Sequence, residues 1–163
     1  MIILDTTAFI SLSIAEILEE TIKQHSVHTT EEVISELEEI SQQDDYLAEA
    51  AENALQSKEE INIHQLEFGR FQTNRIDSGE ASCLALTREI DPDFLFTDDL
   101  HAMAEIKKLS SSEVAISPIM LQSMVKNNSI TKETASNKLD KLMETRDRMG
   151  TPIYRRAKNQ LEE

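Results

Sequence analysis

Two stretches decide the fold: Met1-Ile2-Ile3-Leu4-Asp5-Thr6-Thr7 at the start of the chain, and Phe94-Leu95-Phe96-Thr97-Asp98-Asp99 further along. In each, a short apolar run is closed at once by aspartate. A run of that length reads as a strand buried on both faces. In a parallel α/β sheet, ligands bind at the carboxyl ends of the strands. Asp5 and the Asp98-Asp99 pair are therefore expected at one edge of one sheet.

Working outward, Val27, Ile61-Asn62-Ile63 and Val114-Ala115-Ile116 are further strand candidates. Between them lie segments with helical spacing. Thr6 and Thr7 are read as caps of a helix through Ala8-Phe9-Ile10. Residues 14–24 place Ile14, Ile17, Leu18 and Ile22 on one face. The helix opened by Thr29-Thr30-Glu31-Glu32 buries Val33, Ile34, Leu37 and Ile40, and another runs from Tyr46 to Lys58. Asp77-Ser78-Gly79-Glu80 enters a helix that Asp91-Pro92 stops. Helices follow from Leu100 to Leu109, from Pro118 to Lys126, from Thr131 to Met149 and from Pro152 to Leu161. Alternating strands and helices imply a three-layer α/β/α fold with a mostly parallel central sheet and a helical C-terminal extension. The expected division is a domain over 1–125, with the extension 126–163 packed on it.

The chain has 163 residues and a formal net charge of -15. The charge is uneven. Residues 1–125 carry 25 acidic and 7 basic side chains, whereas residues 126–163 carry 6 acidic and 9 basic ones. The extension is thus a separate electrostatic object, read either as solvated helix faces or as a basic arm beside an acidic site. A single cysteine, Cys83, excludes an internal disulfide and a cysteine zinc site. No apolar stretch is long enough to span a membrane, and the start of the chain lacks the pattern of a signal peptide, so a cytoplasmic location is expected.

The chemistry lies in the carboxylates. Asp5, Glu36, Asp77, Glu80, Asp98 and Asp99 fall at strand ends, at a helix entry or on a helix. Each alone reads first as a turn residue, a helix cap or a solvated acid. Together, clustered carboxylates repel one another and favour protonation unless a cation sits among them. Hard oxygen ligands suit Mg²⁺ or Mn²⁺. Such ions supply an ionised water and neutralise charge on a phosphodiester.

These motifs resemble those of the PIN-domain family, which includes the VapC-type toxins. Met1 to Ile10 is similar to the family's opening strand. Glu36 in Val33-Ile34-Ser35-Glu36-Leu37 matches its second acid. Ser78-Gly79-Glu80-Ala81-Ser82 resembles the Gly-Glu-Ala variant of its third motif, found in predicted nucleic-acid-binding PIN proteins. Phe94 to Asp99 resembles the strand closed by Thr-x-Asp, which favours Asp99 over Asp98. The resemblance implies a metal-dependent endoribonuclease in which Asp5, Glu36, Glu80 and Asp99 are catalytic. Asp77 and Asp98 are then nearby metal ligands or groups behind them, and Thr6 and Thr97 support the acids. It further implies RNA as substrate, a toxin role with a small antitoxin protein as partner, and a homodimer. A catalytically silent nucleic-acid-binding or scaffold module, or an RNA-processing nuclease without an antitoxin, is the alternative.

In the extension, Arg146, Arg148, Arg155, Arg156 and Lys158 are candidate RNA contacts through phosphate. With Tyr154 its only aromatic residue, sequence-specific base reading is not indicated. The stripe Ile130, Leu139, Leu142 and Met143 is expected to cover an apolar surface of this domain or of a partner. His25, His28, His64 and His101 lack metal-ligand spacing, and Cys83 reads as a small buried hydrophobe.

Overall fold

The computed structural model describes all 163 residues. Five strands, β1 (Ile2–Leu4), β2 (Val27–Thr30), β3 (Asn62–His64), β4 (Phe94–Phe96) and β5 (Glu113–Ala115), form one sheet in the order β3-β2-β1-β4-β5. Every pairing is parallel. Nine helices flank it, giving a three-layer α/β/α architecture: α1 (Thr6–Ile14), α2 (Leu18–Gln24), α3 (Glu31–Ser41), α4 (Tyr46–Gln56), α5 (Ser78–Ile90), α6 (Met103–Leu109), α7 (Pro118–Lys126), α8 (Lys132–Thr145) and α9 (Pro152–Glu162). No helix is long and apolar enough to cross a membrane.

β1 is the central strand because it is apolar at every position. Ile2, Ile3 and Leu4 are all buried, as a strand covered on both faces requires. The chain winds from β1 through β2 to β3 on one side, then returns to β4 on the other. The gap between β1 and β4 is therefore the topological switch point, where α/β sheets open a crevice for ligands. The register pairs Leu4 with Phe96, so Asp5 and Thr97 leave the sheet side by side.

The helix starts follow local chemistry. Thr30, Asp45, Thr131 and Thr151 each accept a backbone N–H in the first turn of the helix they open. At α1 the cap is Asp5, whose Oδ1 accepts from the Ala8 amide at 2.8 Å, rather than Thr6 or Thr7. At α5, Asp77 and Glu80 form a reciprocal capping box.

Two helix ends differ from the expected ones, for a common reason. The segment 14–24 is not one helix: α1 stops at Ile14 and α2 begins at Leu18. The segment 131–149 is not one either, since α8 stops at Thr145. Both ends are Schellman turns in which the left-handed residue is acidic. At α1, Glu16 has φ 56°, with Ile17 N–H on the Leu12 carbonyl and Glu16 N–H on that of Ser13. At α8, Asp147 has φ 52°, with Arg148 N–H on Met143 and Asp147 N–H on Glu144. Glycine usually marks this position, and here no glycine is present to read.

The extension shares the core of the sheet domain. Ala135, Leu139, Leu142, Met143, Ala157 and Leu161 are buried in the same apolar cluster as Leu4, Phe9 and Phe96. The stripe predicted from Leu139, Leu142 and Met143 thus covers this domain, and Ile130 packs against it half-buried. Lys138 Nζ donates to the Ala15 carbonyl at 3.1 Å, completing the C-terminus of α1 with a cation where the helix dipole favours one.

Candidate functional site

Asp5 is 2% exposed at the carboxyl end of β1. Its Oδ1 accepts from the Ala8 amide and from Thr7 Oγ1, both at 2.8 Å. Its Oδ2 is buried with no hydrogen-bond partner. Burial pushes the carboxyl pKa up to about 7, against the nearby Thr97 hydroxyl, the Ala8 amide and the Thr7 hydroxyl, which hold it back, and with a last push from the charge of Asp98.

Glu80, 6% exposed, lies in the first turn of α5. Its Oε2 accepts the Asp77 amide at 3.1 Å, and its own amide donates to Asp77 Oδ1 at 2.9 Å. Burial first, then the charge of Asp77, with further push from Asp99 and Asp5, raises its pKa to about 8. Glu80 is therefore the group that feels the acids of β1, β4 and α5 together.

Glu36 projects from α3 toward the start of α5. Gly79 N–H donates to its Oε1 at 3.0 Å, and the Thr6 hydroxyl donates to its Oε2. Burial is the main reason that its carboxyl is also raised, with the charge of Asp77 adding to it. Thr6 thus holds the Glu36 carboxylate from α1.

The pair after β4 divides its work. Asp98, 3% exposed, accepts the Ser117 amide on Oδ1 at 2.8 Å and so ties β4 to the start of α7. Asp99 is only partly buried; its Oδ1 accepts the His101 and Ala102 amides at 2.8 and 3.1 Å. Thr97 Oγ1 accepts the Asp99 amide at 3.2 Å. One residue here escaped the sequence reading. Thr7 Oγ1 donates to Asp5, accepts the Asp98 amide at 2.8 Å and lies 3.5 Å from Thr97 Oγ1. It stitches the ends of β1 and β4 together, and nothing in the Thr6-Thr7 pair told the two hydroxyls apart.

The basic candidates separate. Arg146, half-buried at the end of α8, donates from Nη1 to Ser11 Oγ of α1 at 3.4 Å. Burial and the adjacent Arg148 lower its pKa, while Asp98 and Asp5 act against them, which puts its charge within reach of the acids. Arg155 and Arg156 are exposed on α9. Lys158 is committed elsewhere: its Nζ binds both Asp140 oxygens at 2.8 and 2.9 Å and sits over the Tyr154 ring. It therefore offers less to a phosphate than its place in the sequence implied. His28 Nδ1 and His64 Nε2 meet at 2.8 Å across β2 and β3, a contact between strands that residue spacing does not reveal. Cys83 is buried, as expected.

The donor atoms are of the type that a hard divalent cation takes. All the candidate ligands are carboxylate oxygens, one of them is buried without a partner, and their mutual repulsion is what a cation relieves. As the side chains stand, no group of three His, Cys, Asp or Glu is placed to hold a metal ion.

A family model described as DUF3368, PIN domain, matches residues 1–163, and the chain belongs to that family. No curated protein and no solved structure matches it.

Proposed function

From membership of the PIN-domain family, a nuclease fold that binds nucleic acid, we propose that the chain is an endoribonuclease dependent on Mg²⁺ or Mn²⁺. Asp5, Glu36, Glu80 and Asp99 would hold the metal. Asp77 lies beside them as the partner of Glu80 in its capping box, and Asp98 braces the site from behind through Ser117. A cation bound there supplies an acidified water and neutralises charge on the phosphodiester. Thr6 and Thr7 orient Glu36 and Asp5. Arg146 and Arg148, with Arg155 and Arg156 further out, bind flanking phosphates, so affinity for RNA falls steeply with salt.

The observation that carries this reading is the buried, partnerless Asp5 Oδ2 at the switch point between β1 and β4, beside a Glu80 raised by its acidic neighbours. A scaffold gains nothing from keeping like charges together, whereas a metal site requires it. The test is calorimetric titration of Mn²⁺ into wild type and into Asp5→Asn/Asp99→Asn, followed by incubation with labelled RNA. Binding and cleavage should both vanish in the double variant. Full residual cleavage would sink the proposal, and cleavage of DNA with RNA left intact would redirect it to another substrate.

The toxin role adds a small antitoxin protein that covers the carboxylate face. Growth arrest on expression of the wild type, relieved by Asp5→Asn, is the outcome it requires. The homodimer is checked by light scattering on the purified chain, which should give twice the monomer mass; the monomer mass would overturn it.

A further inference from the structure

We infer that Gly79 is a positioning residue of this site: its missing side chain leaves the space in which the Glu36 carboxylate sits. A Cβ at residue 79 would run into Glu36 Oε2 and fall 2.6 Å from its Oε1 and 2.7 Å from its Cδ. Its amide donates to that same Oε1 at 3.0 Å. The backbone does not call for glycine here. Gly79 lies inside α5 and, unlike Gly150 with its φ of +73°, has no left-handed conformation to maintain. Glycine in a helix is destabilising relative to alanine, so local stability favours a side chain that this position lacks. What the vacancy permits is close approach: Glu36, on a different helix, is drawn onto the first turn of α5, where Glu80 already stands.

The second contact fixes the direction. The Thr6 hydroxyl holds Oε2 from the first turn of α1, next to Asp5. Glu36 is therefore gripped from α1 and from α5, the two helices whose N-termini carry Asp5 and Glu80. Deletion of either grip frees a flexible side chain. The far end of Glu36 can swing aside without moving the backbone, so filling the space at residue 79 should misplace the carboxylate and leave the fold intact.

This inference rests on the nuclease reading for its consequence, although the seat itself does not. The test is Gly79→Ala, made in wild type and in Glu36→Ala. In wild type the substitution should keep or slightly raise Tm, by up to about 2 °C. It should weaken Mn²⁺ binding by about 10-fold or more and lower RNA cleavage in step. In the Glu36→Ala background the same substitution should raise Tm by more than it does in wild type, because the clash is gone. Equal Tm shifts in the two backgrounds would overturn the seat. Unequal shifts with unchanged Mn²⁺ affinity would overturn the positioning role. Failure of wild type to bind Mn²⁺ at all would overturn the nuclease reading, with the Tm cycle still reporting on the seat.

Discussion

The two ends of helix α1 use the same functional group in opposite ways. At its N-terminus, Asp5 is buried, one oxygen has no partner, and the carboxyl is raised to about 7. At its C-terminus, Glu16 is largely exposed and meets Lys141 at 2.8 Å and Lys138 at 3.7 Å, contacts that lower its pKa. The first carboxylate is held against its own electrostatic preference; the second is satisfied. Charge that costs stability marks the site, and charge that contributes to it marks the docking of α8. The acidic sheet domain and the basic extension meet along this helix.

The largest effect that separates the two ends is on activity. Asp5→Asn should lower cleavage by at least about 100-fold, more than loss of a group that merely orients a ligand. The same variant should be more stable than wild type in metal-free buffer at pH 8. The sign follows from linkage. The native state holds protons on Asp5 and Glu80 to about pH 7 and 8, whereas the unfolded chain releases them near its ordinary carboxylate range. Stability of the metal-free protein should therefore fall as pH rises from about 4 to 8. Each pKa unit is about 1.4 kcal/mol, so the part due to Asp5 is on the order of a few kcal/mol. Thermal melts across that range test this, and added Mn²⁺ should flatten the slope. A flat metal-free profile would remove the contrast between the two ends.

Next in size is the docking of the extension. Leu139→Ala removes a fully buried side chain of α8 and should destabilise by about 2–5 kcal/mol in urea unfolding. A single cooperative transition is expected, because α8 shares the main core. A separate early transition would make the extension an independent unit.

A smaller effect sharpens the division between Asp98 and Asp99. Asp98→Ala leaves the buried Ser117 amide without its acceptor and should cost about 1–3 kcal/mol. Asp98→Asn retains an acceptor oxygen and should cost less, with Mn²⁺ affinity close to that of wild type. Asp99→Asn should do the reverse, weakening Mn²⁺ binding with little change in Tm. The smallest effect belongs to Glu16. Glu16→Gln should cost about 0.2–1 kcal/mol and less at high salt, as an exposed pair does.

Much of the fold was legible in the chain because its signals are local. Short apolar runs marked β1 and β4, and the aspartates closing them marked the sheet edge where the acids stand. Asp77 and Thr30 announced the starts of α5 and α3. The ends of α1 and α8 were not legible, because each turns on an acidic residue in a left-handed conformation held by neighbouring backbone bonds. Thr7 was passed over for Thr6 because neither composition nor spacing tells which of two adjacent hydroxyls faces β4. Lys158 looked free because Asp140, its partner, lies a long way back along the chain in the preceding helix.

The sequence by itself determined which residues form strands, which acids stand at their ends, and that the extension is basic with an apolar stripe. These depend on side-chain type and period alone. Only the tertiary structure decided that Glu36 of α3 reaches Gly79 of α5, that Asp5 keeps one oxygen without a partner, and that Arg146 lies within the field of the acids. Those relations arise where separate elements pack together, and burial sets the strength of each charge there.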